Sequence, residues 1–179
     1  MKTIIVSEMD VLHLKLIRQN VKDFLNEISK KYDQEGNKLL DIAPQVHEGA
    51  KEFFVKSIIS TLDIDIKSGA DYIADLCNDN SKLIPSNSFD IIVCTEVLEH
   101  TLNPFKAVAE IYRMLKTKGV ALITVPFNFR IHGPLPDCWR FTEHGLRQLF
   151  IEFSEIALNS LETEHRNLMP VHYTLIAIK

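Results

Sequence analysis

The segment Asn87–Pro126 decides the fold, and its first apolar run reads Phe89-Asp-Ile-Ile-Val-Cys94. A second run follows at Val120-Ala-Leu-Ile-Thr-Val125. Each run has the length of a strand and is almost entirely apolar, which is typical of strands buried on both faces of a parallel sheet. We therefore predict that both runs are strands of one such sheet.

A helical pattern lies between the two runs. Its apolar residues recur at helical spacing, Asn103 can cap the first turn, Pro104 suits the first helical position, and Gly119 suits the stop. A strand, helix, strand unit is right-handed in nearly all sheets, and ligands bind beyond the carboxyl ends of its strands. We therefore expect a binding site at residues 95–100 and in the chain that follows Pro126.

The composition is ordinary for a globular protein, with 179 residues, 46% hydrophobic and 25% charged. This length predicts one domain, divided into an N-terminal helical segment at 1–37 and a core at 38–179 that contains an inserted loop at 126–141. The net charge of -4 argues against nucleic acid as the main partner, because a duplex binder needs a basic face.

The cysteines indicate the compartment. Cys77, Cys94 and Cys138 are odd in number and form no CxxC pair, so we interpret them as reduced thiols. The apolar run Met1–Val6 is too short for a signal peptide, and no stretch has the length of a membrane span. The sequence therefore predicts a cytoplasmic protein without a membrane span.

Further elements are predicted on both sides of the central unit. An amphipathic helix at 10–29 packs against the domain or covers a partner or the mouth of an active site. The remaining predicted elements are strands at 38–43, 57–62, 70–75, 153–158 and 172–178, and short helices through Phe54 and after Thr142.

Carboxylates follow three of the predicted strands. Asp41 and Asp63 stand about 20 residues apart, close to the spacing at which nucleotide-binding units carry an acid for a ribose hydroxyl. Asp75 ends the next predicted strand. The GxGxxG fingerprint is missing, so a nucleoside without phosphates fits better than a nicotinamide dinucleotide, and an oxidoreductase is the weaker alternative.

Over about residues 38–179 these elements resemble the class I S-adenosylmethionine-dependent methyltransferases. The most specific part is Phe89–His100, followed by the helix and the turn Lys116-Thr-Lys-Gly119. The resemblance implies an α/β, doubly wound, Rossmann-like fold with a mostly parallel seven-stranded sheet and a final antiparallel strand. It also implies S-adenosyl-L-methionine as the cofactor.

The resemblance assigns parts of the cofactor to particular residues. Asp63 matches the acid that holds the ribose hydroxyls, Asp75 and Leu76 match the pair beside the adenine, and Asp41 matches the acid next to the methionine part. The full set of implied cofactor-binding residues is Asp41, Ala43, Gln45, Asp63, Ile64, Asp75, Leu76, Thr95 and Glu96.

The loop after the first strand departs from the family pattern. The family usually reads Asp-x-Gly-x-Gly-x-Gly, whereas here the first glycine after Asp41 is Gly49. Ala43 is a mild change, but Gln45 and His47 carry large side chains where bare backbone meets the cofactor. The alternative is therefore a non-catalytic binding or scaffold protein with a degenerate cofactor loop.

Methyl transfer from a sulfonium is an in-line displacement, which needs positioning and exclusion of water more than catalytic side chains. A hydroxyl acceptor benefits from a general base, and His is suited because its pKa lies near the working pH. The candidates are His100, His132 and Asp137. The alternative roles are packing, capping and hydrogen bonding within the loop.

The loop at 126–141 supplies the candidate substrate residues. Arg130 and Arg140 could hold an anionic group, although surface arginines are common, and Trp139 forms a substrate wall or anchors the loop.

The segment His132–Thr142 is similar to a pattern in a methyltransferase subgroup associated with bacterial glycan or cell-surface biosynthesis. This resemblance implies a small-molecule or glycan-linked acceptor that is methylated at oxygen. The sequence leaves a homodimer open.

A metal site is not expected from the sequence. Glu96, Glu99 and His100 superficially resemble a helical zinc motif. A zinc hydrolase helix supplies two His ligands, however, and only one is present in this motif. The cysteines add no ligand cluster.

Overall fold

The computed structural model describes residues 5–44 and 49–179. Seven strands form one sheet. They are β1 (Lys38–Ile42), β2 (Ile58–Asp63), β3 (Tyr72–Ile73), β4 (Phe89–Thr95), β5 (Leu115–Pro126), β6 (Glu155–Leu161) and β7 (His172–Ile178).

The strand order is β3-β2-β1-β4-β5-β7-β6. Pairing is parallel from β3 through β5, and β7 is antiparallel to both of its neighbours. The predicted α/β, mostly parallel seven-stranded sheet with a final antiparallel strand is therefore confirmed.

Three helices flank the sheet, namely α1 (Glu8–Tyr32), α2 (Pro104–Met114) and α3 (Glu143–Leu149), together with short 3-10 turns at Gly49–Glu52 and Leu98–His100. The expected caps are present. The side chain of Asn103 accepts the N–H of Lys106 at the start of α2, and that of Thr142 accepts the N–H of Gly145 at the start of α3. These side chains satisfy backbone donors that a helix start leaves open.

The sheet has an apolar layer on each face. Alternate residues of β1 and β4 explain this, because Leu39 and Ile91 pack on the side of Leu25 in α1, whereas Leu40 and Ile92 pack with α2 and α3 on the other side. Both predicted apolar runs are thus buried on two faces, as parallel strands between helices are.

Several element boundaries differ from the predicted ones by a few residues, and those of the central unit and of the third strand differ most. The helix α2 ends at Met114, not near Gly119, and β5 starts at once because Leu115 pairs with Phe89. A Cβ on Gly119 would lie 2.8 Å from the carbonyl oxygen of Lys116, so this glycine permits a close approach of two backbone segments within the strand. The third strand is only two residues long.

The site is positioned by the carboxyl edge of the parallel strands. The strands β1, β2 and β4 end there at Ile42, Asp63 and Thr95. The antiparallel strand β7 begins at the same edge, because His172 pairs with Pro126 at the end of β5. No helix within the described part of the chain is both long and apolar enough to span a membrane.

Candidate functional site

A cavity of about 460 Å³ opens at the carboxyl edge of the sheet, a size usual for small-ligand sites. The helix α1 covers one side of it with Ile17 and Leu25 and with the cations Arg18 and Lys22. The helix therefore packs on the sheet and also covers the mouth of a cavity, so it combines two roles that were predicted as alternatives. The predicted site residues that line this cavity are Asp41, Ala43, Thr95, Glu96, His100 and His132.

Asp41 lies at the end of β1 with 3% of its surface exposed. One of its oxygens accepts the N–H of Ala50 at 2.7 Å, and burial raises the pKa of this carboxyl to about 6 despite that bond. Ala43 and Gly49 both have positive φ, of 52° and 59°. The backbone thus turns sharply at Ala43 and at Gly49. The predicted cofactor residue Gln45, like His47, lies outside the described residues.

The predicted adenosine-binding residues lie at the ends of β2 and β3 but are not among the residues that line the cavity. Asp63 accepts the N–H of Asp65 at 2.8 Å, and Asp75 accepts the N–H of Cys77 at 2.8 Å. Leu76 is buried, whereas Ile64 is 69% exposed. Asp41, Asp63 and Asp75 therefore follow neighbouring strands at one edge of the sheet, as the sequence predicted.

Glu96 is held by a network that the sequence does not reveal. Its Oε1 atom accepts the hydroxyl of Thr124 at 2.8 Å and lies 2.6 Å from Nε2 of His172. His172 is fully buried, and the side-chain amide of Asn20 in α1 lies 2.8 Å from its Nδ1 atom. Since the amide N–H donates to Nδ1, the Nε2 atom carries the proton and donates to Glu96. The network ties α1 and β7 to the end of β4.

The two candidate histidines, His100 and His132, are both held by the loop at 126–141 through their Nδ1 atoms. The Nδ1 atom of His100 donates to the carbonyl of Pro136 at 2.9 Å, and Nδ1 of His132 lies 3.1 Å from Oδ2 of Asp137. The ring centroids of the two histidines are 4.9 Å apart. Each Nδ1–H donates to a carbonyl of the loop at 126–141, namely that of Pro136 for His100 and that of Arg130 for His132, so Nε2 is the atom of each ring that is open to a ligand.

Asp137 and Arg140 bind one another within the loop. The guanidinium of Arg140 donates to both Asp137 oxygens, at 2.5 and 2.8 Å, and also to the carbonyl oxygens of Phe129 and Arg130. Burial alone would raise the pKa of Asp137, but the hydrogen bonds from Arg140 and from the N–H of His132 lower it to about 2. The carboxylate is thus ionised and holds His132 in place.

The other two predicted substrate residues also face neighbouring protein atoms. The guanidinium of Arg130 lies 3.8 Å from the Asp10 carboxylate in α1. The indole N–H of Trp139 donates to the carbonyl of Thr101 at 2.8 Å, and its ring stacks on Phe141. Neither Arg130 nor Trp139 is among the residues that line the cavity.

Glu99, for which the sequence predicts no role, has an unusual environment. Its side chain is completely buried, and within the described residues neither carboxylate oxygen has a hydrogen-bond partner. Burial, together with the nearby charge of Glu96, raises the pKa of Glu99 well above its usual range. Its Oε1 atom lies 3.7 Å from Nε2 of His100 and 3.9 Å from Nε2 of His132.

Comparison with known proteins relates the chain to enzymes of one kind. A family model described as a methyltransferase domain matches residues 13–173. A SAM-dependent methyltransferase structure from Archaeoglobus fulgidus has a TM-score of 0.65 at 16% identity, covering 90% of this chain and 94% of that chain. One from Methanosarcina mazei has a TM-score of 0.63 at 18% identity, covering 85% and 96%.

A third solved structure, the YcgJ protein of a Bacillus species, has a TM-score of 0.64 at 15% identity and covers 88% of this chain and 98% of that chain. At such identities these structures show a common fold. No curated protein matches the chain.

Proposed function

Since this chain belongs to the family of class I S-adenosylmethionine-dependent methyltransferases, we propose that it methylates an oxygen atom of a small or glycan-linked acceptor. One observation carries the oxygen-directed part of this proposal. Two imidazole Nε2 atoms with free lone pairs lie at the cavity that Asp41, Thr95 and Glu96 also line. A hydroxyl has to lose a proton as its oxygen is methylated, and an imidazole can accept it.

The residues present fit the cofactor. Asp41 is a buried carboxylate with a single hydrogen bond, and a cationic group such as the sulfonium or the amino group of S-adenosylmethionine would offset its burial. In this proposal Asp63 holds the ribose, Asp75 and Leu76 flank the adenine, and Thr95 and Glu96 hold the methionine end together with Asp41. When bound, the cofactor supplies an electrophilic methyl group whose transfer leaves a neutral thioether.

His132 is the stronger candidate for the proton acceptor. Its Nδ1–H donates to the Arg130 carbonyl at 3.3 Å, and the same nitrogen lies 3.1 Å from the ionised carboxylate of Asp137. A proton taken up at Nε2 therefore gives an imidazolium that this nearby negative charge stabilises. The Nδ1–H of His100 donates to the neutral carbonyl of Pro136, which stabilises a charged ring less. In the overall transfer the S–CH3 bond breaks, an O–CH3 bond forms, and the hydroxyl proton moves to His132.

The mouth of the cavity supports an acceptor that carries a negative group. Arg18 and Lys22 project from α1 at the cavity, and both are exposed. Lys22 lies 3.9 Å from the Glu52 carboxylate, while Arg18 has no carboxylate partner in the part of the chain that the structure describes. A sugar linked to phosphate or to an acidic group would bind there through charge-assisted hydrogen bonds.

The scaffold alternative also has an observation in its favour. The Asp41 carboxylate is turned onto its own loop through the Ala50 N–H, and Ala43 takes a left-handed conformation at a position where the family has glycine. A carboxylate already bound to the backbone, next to a residue with a Cβ in place of glycine, would bind the cofactor more weakly.

Calorimetric titration separates the enzyme from the scaffold. We expect S-adenosylmethionine and S-adenosylhomocysteine to bind with micromolar affinity and Asp63→Ala to abolish this binding. Asp65→Ala is the matched control, because Asp65 is an exposed acid two residues away and should not change affinity. If neither S-adenosylmethionine nor S-adenosylhomocysteine binds at millimolar concentration, the enzyme proposal is refuted in favour of a non-catalytic scaffold protein.

The oxygen-directed step has its own test. The protein is incubated with S-adenosylmethionine carrying a labelled methyl group and with pairs of sugars that differ only in a hydroxyl or an amine. We expect label on the hydroxyl sugars, a loss of at least about 100-fold in His132→Ala, and no change in the exposed-site control His165→Ala. Label on the amine sugars alone would refute methylation at oxygen.

A further inference from the structure

A second chemical feature lies beside the cavity. One ligand atom each from Glu99, His100 and His132 all lie within 4.8 Å of one another. The first two residues belong to the short turn Leu98–His100 after β4, and the third belongs to the loop at 126–141. The sequence motif around Glu99 offered only one histidine, and the fold brings the second from a distant segment.

The two imidazoles and the Glu99 carboxylate bring their ligand atoms close to one another. The Nδ1–H of His100 donates to the carbonyl of Pro136 and that of His132 donates to the carbonyl of Arg130, so both Nε2 atoms carry lone pairs. These two atoms lie 3.7 and 3.9 Å from Oε1 of Glu99. No donor stands among them in the described residues.

The carboxylate of Glu99 provides an independent observation. It is fully buried, and neither oxygen has a hydrogen-bond partner within residues 5–44 and 49–179. An unpaired buried carboxylate is costly, and buried charges are normally paired or bound to metals. A cation bound between the three groups would pair with the Glu99 carboxylate and offset its burial.

We propose that Glu99, His100 and His132 form a binding site for a divalent transition-metal ion. Two imidazoles and one carboxylate are a donor set that suits zinc and divalent iron, whereas calcium and magnesium prefer oxygen ligands alone. The hydrogen bonds from the two Nδ1 atoms to the carbonyls of Pro136 and Arg130 are outer contacts of the kind that orient metal-bound imidazoles.

The position of the site gives it a role that rests on the proposed function. Both histidines line the cavity, so an open coordination position would face the acceptor. A hydroxyl bound there loses its proton more readily, because the cation stabilises the oxygen anion. In the metal-bound form the hydroxyl proton passes to solvent water and the oxygen takes the methyl group from the sulfonium. His132 then accepts the proton itself only in the metal-free form.

Calorimetry with zinc tests the site without any methyl acceptor. The full chain is stripped with a chelator and titrated with Zn²⁺, and we expect one ion per chain. Glu99→Gln and His132→Ala should each weaken zinc binding by at least about 100-fold. Mutation of a residue that only orients a ligand costs about 10- to 100-fold in metal affinity, and loss of a ligand itself should cost at least as much. Glu164→Gln and His165→Ala are the matched controls, because they alter an exposed Glu-His pair, and they should leave binding unchanged.

Cobalt provides a spectroscopic readout. Added Co²⁺ should give visible d–d bands in the wild type and in the controls but not in Glu99→Gln, which keeps the shape of the side chain and whose folding is checked by thermal unfolding. Absence of saturable binding, or equal affinity in wild type, Glu99→Gln and His132→Ala, overturns the site.

Titration with S-adenosylhomocysteine in the absence of metal keeps the two proposals apart. Zinc bound without any cofactor binding refutes the proposed function and leaves the metal site standing. Cofactor binding without zinc binding refutes the metal site and leaves the proposed function standing. Transfer to hydroxyls that is unaffected by removal of bound zinc overturns the catalytic role of the ion.

Discussion

Replacing Asp41 by Asn should stabilise the protein at neutral pH. The carboxyl group is 3% exposed, and burial, opposed only by the Ala50 N–H, raises its pKa from 3.8 to about 6. Between these two pH values the folded chain holds a proton that the unfolded chain has lost. Wild-type stability therefore falls as pH rises from about 4 to about 6 and does not change further through this group at higher pH.

The size of the effect follows from the two pKa values. Each pH unit between them is worth about 1.4 kcal/mol, so ionising the buried carboxyl costs about 3 kcal/mol at pH 7. Asparagine has the same shape, carries no charge, and can still accept the N–H of Ala50. The variant should match the wild type near pH 4 and exceed its free energy of unfolding by up to about 3 kcal/mol at pH 7.

Urea unfolding of both proteins at several pH values between 4 and 7.5 measures this difference. Asp33→Asn is the control, because its stability relative to wild type should change with pH in the opposite direction. Burial alone would raise the pKa of Asp33, but hydrogen bonds from Ser57, Lys56 and Val55 lower it, so this variant should become less stable relative to wild type as pH rises. A difference between Asp41→Asn and wild type that stays constant over the whole range would refute the argument.

Three further substitutions test the same edge of the sheet. Ala43→Gly should raise the free energy of unfolding by up to about 1 kcal/mol in urea, because glycine adopts a φ of 52° without strain. Gly49→Ala should lower it by more than 1 kcal/mol in the same assay, because the residue has positive φ and its new Cβ would overlap the carboxylate of Asp41. His172→Leu should cost about 1–3 kcal/mol by removing the donor to Glu96, and S-adenosylhomocysteine titration should show weaker binding.

The sheet could be predicted because its signals are local. The strands at Phe89–Thr95 and Leu115–Pro126 contain uninterrupted apolar runs, and Asn103 and Thr142 mark helix starts by their own side chains. The end of α2 was wrong by about one turn, because the pairing of Leu115 with a residue of β4 outweighs the helical tendency of the turn that follows.

The contacts of the site could not be predicted, because they join residues far apart in the chain. His172 meets Glu96 only because β7 runs antiparallel to β5. His132 meets Glu99 only because the loop at 126–141 folds back over the turn after β4. Spacing in sequence contains neither relation, so a motif with one histidine gave no reason to expect a cation site.

Two of the buried acids at the carboxyl edge of the sheet, Asp41 and Glu99, have raised pKa values, and both bear on ligand binding. Asp41 has one backbone hydrogen bond, and Glu99 has none within the described residues. Folding places both acids in surroundings where the charged form is disfavoured, a cost that the apolar layers on the two faces of the sheet offset. A cation that arrives at either acid recovers part of that cost as binding energy, so the same burial that lowers stability without ligand favours cationic ligands over neutral ones of equal size.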